Sequence, residues 1–168
     1  ATIGPSIHDL SPRKEGPMVA INCGAIPDTL LESELFGYVA GAFTDAKTHR
    51  KGIFETCADG TLLLDEVAQL PEQVQAALLR VLEDQRIRPL GAEREIPLNL
   101  RFLFATNADL QAAVAEGRFR ADLFHRINVV NIEMPPATPL AGTMDKVLEV
   151  EAVVRRHLRP GEVRAVTD

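Results

Sequence analysis

Cysteine is scarce in this chain: only Cys23 and Cys57 occur, far apart and without CxxC or Cys/His ligand spacing. That pattern argues against a zinc module and makes a reducing cytoplasmic compartment the expectation. The four histidines, His8, His49, His125 and His157, lack metal-ligand spacing as well. No apolar run approaches membrane-spanning length, and no leader of basic, apolar and small residues is evident, so no membrane association is expected. Basic charge is not in excess. The formal net charge of −6 argues against nonspecific nucleic-acid binding by the domain as a whole, leaving at most a local basic patch. Internal repeats and low-complexity segments are also missing. What remains is ordinary for a soluble globular domain: 168 residues, 46% hydrophobic and 25% charged, enough for one sizeable core.

Strands and helices alternate along the chain. Met18 to Cys23 reads as a strand, and Pro27 to Phe36 as a helix with Leu30, Leu31, Leu35 and Phe36 on its apolar face. Two glycines and small residues interrupt from Gly37 to Ala46. Thr61 to Leu64 is a short apolar run after Gly60, the mark of a buried strand in a parallel sheet. Pro71 to Leu82 is the clearest helix, with Pro71 suited to a first helical position. Ile87 to Leu98 resembles a β-hairpin excursion, and Leu100 to Ala105 a second buried strand. Leu110 to Val114 is a short helix and Asn128 to Glu133 a last strand. After Pro136 the character changes to a linker (137–143), then a plausible amphipathic helix from Asp145 to Leu158. Arg155, Arg156 and Arg159 near its end suit the negative pole of a helix better than a nucleic-acid contact. The alternation predicts an α/β fold with a mostly parallel sheet.

Chemistry concentrates where the apolar runs end. The 61–64 run stops at Asp65-Glu66, and ligands of open α/β sheets sit outside the carboxyl ends of their strands. One carboxylate there suits a metal-bound water and the other a nucleophilic water, the two tasks of NTP hydrolysis. The same pair also suits the first turn of a following helix. Thr106-Asn107 ends the second buried strand and would share that edge, although such residues are equally common helix caps. Asn22 ends the Met18–Cys23 strand within reach of Glu66. Arg118, Arg120 and Arg126 follow in a Gly-Arg-Phe-Arg-Ala-Asp stretch and the helix beyond it, where arginines can serve a neighbour's phosphate or merely solvate a surface.

Together with Glu32-Ser33-Glu34-Leu35-Phe36-Gly37 and Gly41-Ala42-Phe43-Thr44-Asp45-Ala46, these segments resemble the central AAA+ domain of sigma-54-dependent bacterial enhancer-binding proteins. The likeness runs from about Ile7 to Pro136. It implies a P-loop NTPase-like three-layer α/β/α core, driven by ATP and Mg²⁺ and working as a hexameric or heptameric ring on the sigma-54 RNA polymerase holoenzyme. Direct DNA binding by this domain is not implied. By resemblance, Asp65 (for Mg²⁺, through water) and Glu66 match the Walker B pair, and Asn22 the asparagine that holds Glu66 inactive. Thr106 and Asn107 match sensor I, and Arg120 and Arg126 the arginines that act on a neighbouring subunit's γ-phosphate. The stretch Gly41, Ala42, Phe43, Thr44, Asp45 and Ala46 matches the GAFTGA loop that touches sigma-54, and the 87–98 hairpin the second loop that supports it.

The departures are equally specific. No GxxxxGK[ST] occurs, and the resemblance would place the missing lysine just ahead of residue 1. The strand feeding that loop, which in the family lies between the sensor I strand and the last strand, is missing too, as is the helical lid. An unfilled slot there would leave unpaired backbone groups at about 1–3 kcal/mol each, unless the 145–158 helix or the N-terminal segment covers it. Gly4-Pro5 is expected to disturb the first helix. Asp45 replaces a glycine and adds a Cβ where positive φ would be needed. The resulting expectation is a partial AAA+ domain over 1–136 with a divergent tail over 137–168. Its nucleotide binding would be lost or weakened, with a non-enzymatic sigma-54- or protomer-binding remnant as the alternative. A metal-dependent phosphohydrolase built on Asp65 and Glu66 lacks further carboxylates to support it.

Overall fold

The computed structural model describes residues 3–129, 131–133 and 164–167. In chain order its elements are α1 (Ile3–Asp9), β1 (Met18–Asn22), α2 (Asp28–Phe36), β2 (Gly37–Tyr38), β3 (Arg50–Lys51), α3 (Ile53–Thr56) and β4 (Thr61–Asp65). There follow α4 (Glu72–Asp84), β5 (Arg86–Ile87), β6 (Ile96–Pro97), β7 (Arg101–Thr106), α5 (Leu110–Ala115), α6 (Ala121–Ile127), β8 (Asn131–Glu133) and β9 (Arg164–Thr167).

Five strands form one sheet in the order β1-β4-β7-β9-β8, every neighbouring pair parallel. Alternation of side chains across the pleat divides the apolar residues between two faces. Leu62, Leu64, Phe102 and Phe104 join the main core with Val74, Leu78, Val81 and Leu82 of α4. On the opposite face Leu63 lies against Gly4 of α1. The sheet is therefore sandwiched between helices, the three-layer α/β/α arrangement expected. Phe102 and Phe104 stack with centroids 6.0 Å apart, and Phe54 meets Phe102 edge-on at 5.8 Å. All three are at most 1% exposed, and full burial of each such ring is worth about 1.5–3 kcal/mol.

Three local expectations change. Gly4-Pro5 does not break the first helix, because Pro5 sits in its first turn, where a backbone N–H has no intrahelical partner to lose. Pro71 lies just before α4 in an extended conformation (φ −58°, ψ 148°) rather than as its first residue, and the helix continues past Leu82 to Asp84. The last strand of the matched region begins at Asn131, not Asn128, because Asn128 ends α6 with its N–H on the Phe124 carbonyl.

The slot between β7 and β8 holds a strand after all. Residues Arg164–Thr167 pair with Leu103–Thr106 on one side and with Asn131–Glu133 on the other. Neither of the two segments expected to cover that slot does so in the described residues: the N-terminal segment forms α1, and the 145–158 helix lies outside them. Among the described residues β9 is the only partner of β8. A chain ending at residue 163 should consequently lose stability by about 3 kcal/mol or more, at roughly 1 kcal/mol per backbone hydrogen bond lost. Amides of 131–133 should then exchange at unprotected rates. Urea unfolding with hydrogen exchange checks this, and unchanged protection of those amides would contradict it.

Candidate functional site

The parallel register aligns the ends of the strands. Asn22 stands opposite Asp65, Leu64 opposite Phe104, and Thr106 opposite Thr167, so the polar ends of β1, β4 and β7 lie along one edge. Asp65 and Glu66 are half-buried there. Asp65 Oδ1 accepts a hydrogen bond from the Glu66 N–H at 2.9 Å. That closes a tight turn in which Glu66 takes left-handed backbone angles, φ 54° and ψ 44°, a conformation costing a residue with a Cβ on the order of 1 kcal/mol. No first turn of an α-helix begins at the acidic pair; a single 3-10 turn, Val67–Gln69, follows instead.

Asn22 does not reach Glu66. Its Oδ1 accepts from the Gly24 N–H at 2.9 Å and caps the 3-10 turn Cys23–Ala25. This local bond forms because an asparagine side chain can mimic the backbone two residues on, and it orients the amide. Asn22 and Glu66 nevertheless converge on Gly24. A Cβ there would lie 2.7 Å from Glu66 Oε2 and 3.4 Å from Asn22 Oδ1, so glycine makes room for the carboxylate. Beneath them Cys23, 1% exposed, has its thiol pushed up to about 12 by burial and then by the Asp65 and Glu66 charges. Thr106 is buried, its Oγ1 accepting from the Ala108 N–H at 3.0 Å, while Asn107 faces solvent.

The arginine segment is held by a residue that sequence reading missed. Gln75, buried on α4, donates through Nε2 to the Leu70 and Arg118 carbonyls at 2.7 and 3.1 Å and accepts the Arg120 N–H on Oε1 at 2.8 Å. A polar residue on the apolar face of a helix was the available signal, since burial obliges it to find partners. Arg120 itself turns to Asp122, donating from Nε at 3.0 Å and Nη2 at 2.6 Å. This hydrogen bond holds the Asp122 carboxyl below its ordinary range. Arg118 pairs with Glu116, and Arg126 donates to the Leu82 carbonyl at 2.7 Å, the end of α4. Both candidate trans-acting arginines thus have partners within their own chain.

The 41–46 loop folds on itself through Gly41 N–H to Ala46 O at 2.7 Å and Ala46 N–H to Phe43 O at 2.9 Å. Gly41, Phe43, Thr44 and Asp45 are exposed, Ala42 is half-buried and Ala46 is buried, so Ala46 is not available for contact here. The expected strain at Asp45 is absent: positive φ falls on Gly41 (85°), not on residue 45. The β5–β6 hairpin braces the loop. Leu90 donates to Gly37 O and accepts from Val39 N–H, and Gly91, at φ 74°, lies where a Cβ would be 2.8 Å from the Ala42 Cβ. A cavity of about 210 Å³ opens at the foot of this hairpin, lined by residues such as Phe36, Arg80 and Glu95 and by none of the acidic-edge residues.

An α/β core with this acidic edge and an exposed aromatic loop defines a domain of the AAA+ class. The chain belongs to the family described as the Sigma-54 interaction domain, whose sequence profile matches residues 1–133. It is 51% identical over 130 residues to the transcriptional regulatory protein GlrR of Escherichia coli (strain K12), covering 77% of this chain and 29% of that protein. It is 53% identical over 134 residues to the Nif-specific regulatory protein of Herbaspirillum seropedicae, covering 80% and 25%. Among solved structures, NtrX from Brucella abortus in complex with ATP superposes with a TM-score of 0.73 at 30% identity, over 95% of this chain and 36% of that one. The chain thus spans about a quarter to a third of the regulators it matches. No helix among the described residues is long and apolar enough to cross a membrane.

The donor set fits one part of a magnesium–nucleotide site and not another. Two half-buried carboxylates suit a hydrated Mg²⁺, which ordinarily takes one or two carboxylates and completes its shell with water and phosphate. No group of three or more His, Cys, Asp or Glu gathers among the described residues. Asn22, Asp65, Glu66, Thr106 and Asn107 offer no lysine and no run of free backbone N–H groups for phosphates, the features that grip a triphosphate.

Two outcomes follow. Glu66→Gly should be about 1 kcal/mol more stable than Glu66→Ala, because only glycine relieves the left-handed strain; urea unfolding of both variants measures this, and equal stability would contradict it. Cys23 should resist iodoacetamide at pH 8 in the folded protein and react on unfolding, read by peptide mass spectrometry. Since the folded thiol titrates above its ordinary value of 9.0, its contribution to stability is complete below pH 9 and lost as pH rises from 9 through 12.

Proposed function

We propose that this domain belongs to a sigma-54-dependent transcriptional activator and presents the Phe43-Thr44 tip to sigma-54, the other loop residues shaping that tip. The observation that carries this reading is an exposed aromatic, Phe43 at 45% exposure, on a loop braced by a second hairpin, in a chain of the Sigma-54 interaction domain family. Exposed phenylalanine is costly to leave in water and is well suited to anchor a partner.

Coupled to that loop is the acidic edge. In this reading Asp65 would hold a Mg²⁺ ion, which would supply charge neutralisation at the phosphates, Glu66 would orient the attacking water and Thr106-Asn107 would sense the phosphate. Asn22 swings its Nδ2 to donate to the Glu66 carboxylate and silence it. Arg120 and Arg126 leave Asp122 and the Leu82 carbonyl to serve the next subunit of a ring. Arg126 gives up one hydrogen bond and Arg120 two, each replaced by bonds to phosphate, so the net cost is on the order of 1 kcal/mol per bond exchanged.

These 168 residues contain no GxxxxGK[ST], and the edge residues offer no phosphate cradle. The chain as given is therefore read as binding its protein partner while gripping nucleotide weakly. Titration of a fluorescent ATP analogue with Mg²⁺ tests this. Affinity weaker than millimolar is expected, whereas micromolar, magnesium-dependent binding would overturn it. Binding to purified sigma-54 should fall at least tenfold in Phe43→Ala; an unchanged affinity would remove the loop assignment.

A further inference from the structure

We propose that Tyr38 is the pedestal for Phe43: a positioning residue that holds the loop's exposed ring in its presenting orientation before any partner arrives. The proposal rests on the reading that Phe43 is the partner contact, and it adds the residue that controls that contact.

Tyr38 and Phe43 meet edge to face, with ring centroids 4.9 Å apart and planes at 63°, a favoured arrangement for two quadrupoles. Their supports differ. Tyr38 belongs to β2, where it pairs with Arg50 of β3 on one side and bridges Leu90 of the hairpin on the other. Its backbone is further fixed by the neighbouring bonds from Leu90 N–H to Gly37 O at 2.9 Å and from Val39 N–H to Leu90 O at 3.0 Å. The strand below is tied to α2 by Arg50, which donates both Nη1 and Nη2 to the Glu34 carboxylate at 2.8 and 2.9 Å. Phe43 has no such framework. Around it the loop is closed by bonds among its own residues, by one bond from Ala42 N–H to Val39 O at 3.1 Å, and by the approach of Gly91 to Ala42, none of which holds the Phe43 ring.

The ring contact is thus a side-chain link from the tip to the braced base, and it leaves Phe43 45% exposed instead of burying it. A stowing contact would hide the ring. This one leaves nearly half of the residue in solvent. An edge-to-face pair biases a conformational equilibrium by roughly two- to tenfold, and a contact ordered in advance spares the partner the cost of ordering it.

Tyr38 is the sole tyrosine and the chain has no tryptophan, so intrinsic fluorescence of the unmodified protein reports on this ring alone. Phe43→Ala should raise acrylamide quenching of Tyr38 and diminish its near-ultraviolet circular dichroism. Unchanged quenching and dichroism would overturn the pedestal, whatever sigma-54 does. In binding to purified sigma-54, Tyr38→Ala should weaken affinity three- to tenfold while Tyr38→Phe, which retains the ring, stays within twofold of the parent. Where Phe43→Ala does weaken sigma-54 binding, equal losses in both Tyr38 variants, or none in Tyr38→Ala, would also overturn it. Should Phe43→Ala alter Tyr38 fluorescence yet leave sigma-54 affinity unchanged, the pedestal stands and the partner assignment falls. Thermal unfolding midpoints, expected to agree within a few degrees, separate these effects from loss of the fold; a Tyr38→Phe protein that unfolded would count against a pure positioning role.

Discussion

Parallel pairing of β4 with β7 is the constraint on which the rest of the molecule depends. Leu62 and Leu64 face the same core as Phe102 and Phe104, and their register, Leu64 opposite Phe104, allows no one-residue slip. A slip of one strand would turn its two core side chains, Leu62 and Leu64 or Phe102 and Phe104, to the other face of the sheet. With that register held by packing, Asp65-Glu66 and Thr106-Asn107 leave the core together, at one edge. The acidic pair owes its position to hydrophobic burial several residues away, not to any attraction between the polar groups themselves.

The edge that results is under tension in a useful sense. Glu66 sits in a left-handed conformation, Gly24 gives up a side chain to make room for its carboxylate, and Cys23 is buried under two negative charges. None of these is favourable locally. Each is tolerated because the buried strand on one side and the 3-10 turn on the other leave Glu66 little alternative. The partner loop is built on the opposite principle. Its tip is nearly free of the core and takes its shape from a short turn, a hairpin and one ring-on-ring contact. A rigid edge and a lightly held loop are joined by α2, whose end runs directly into β2.

Much of this was legible in the residue pattern, and the reasons are physical. Apolar runs of four to six residues bounded by turn residues are too short for most helices and suit buried strands, so β4 and β7 were readable with their polar ends. The four-residue spacing of Val74, Leu78 and Leu82 marked α4. Element ends were less legible, as at Pro71 and Asn128, because capping depends on which backbone groups the fold leaves without partners. Two polar side chains at one edge suggest an Asn22–Glu66 bond, whereas the hydrogen bond Asn22 makes is local, its Oδ1 accepting from Gly24 N–H. Strain was assigned to Asp45 on likeness alone, whereas the backbone places it at Glu66 and turns at Gly41 instead. Gln75 went unnoticed because its three bonds reach segments up to 45 residues away.

The sequence alone settled which runs could be buried strands and where they end in carboxylates and amides, since these follow from local composition and period; that the 41–46 loop exposes Phe43 followed only from the family resemblance. Tertiary structure alone decided that residues 164–167 would lie between β7 and β8, that Tyr38 would meet Phe43, and that each candidate arginine would turn to a partner in its own chain. Those outcomes depend on which distant groups are left without hydrogen bonds or covering surface once the sheet has formed, and no local pattern of residues records that.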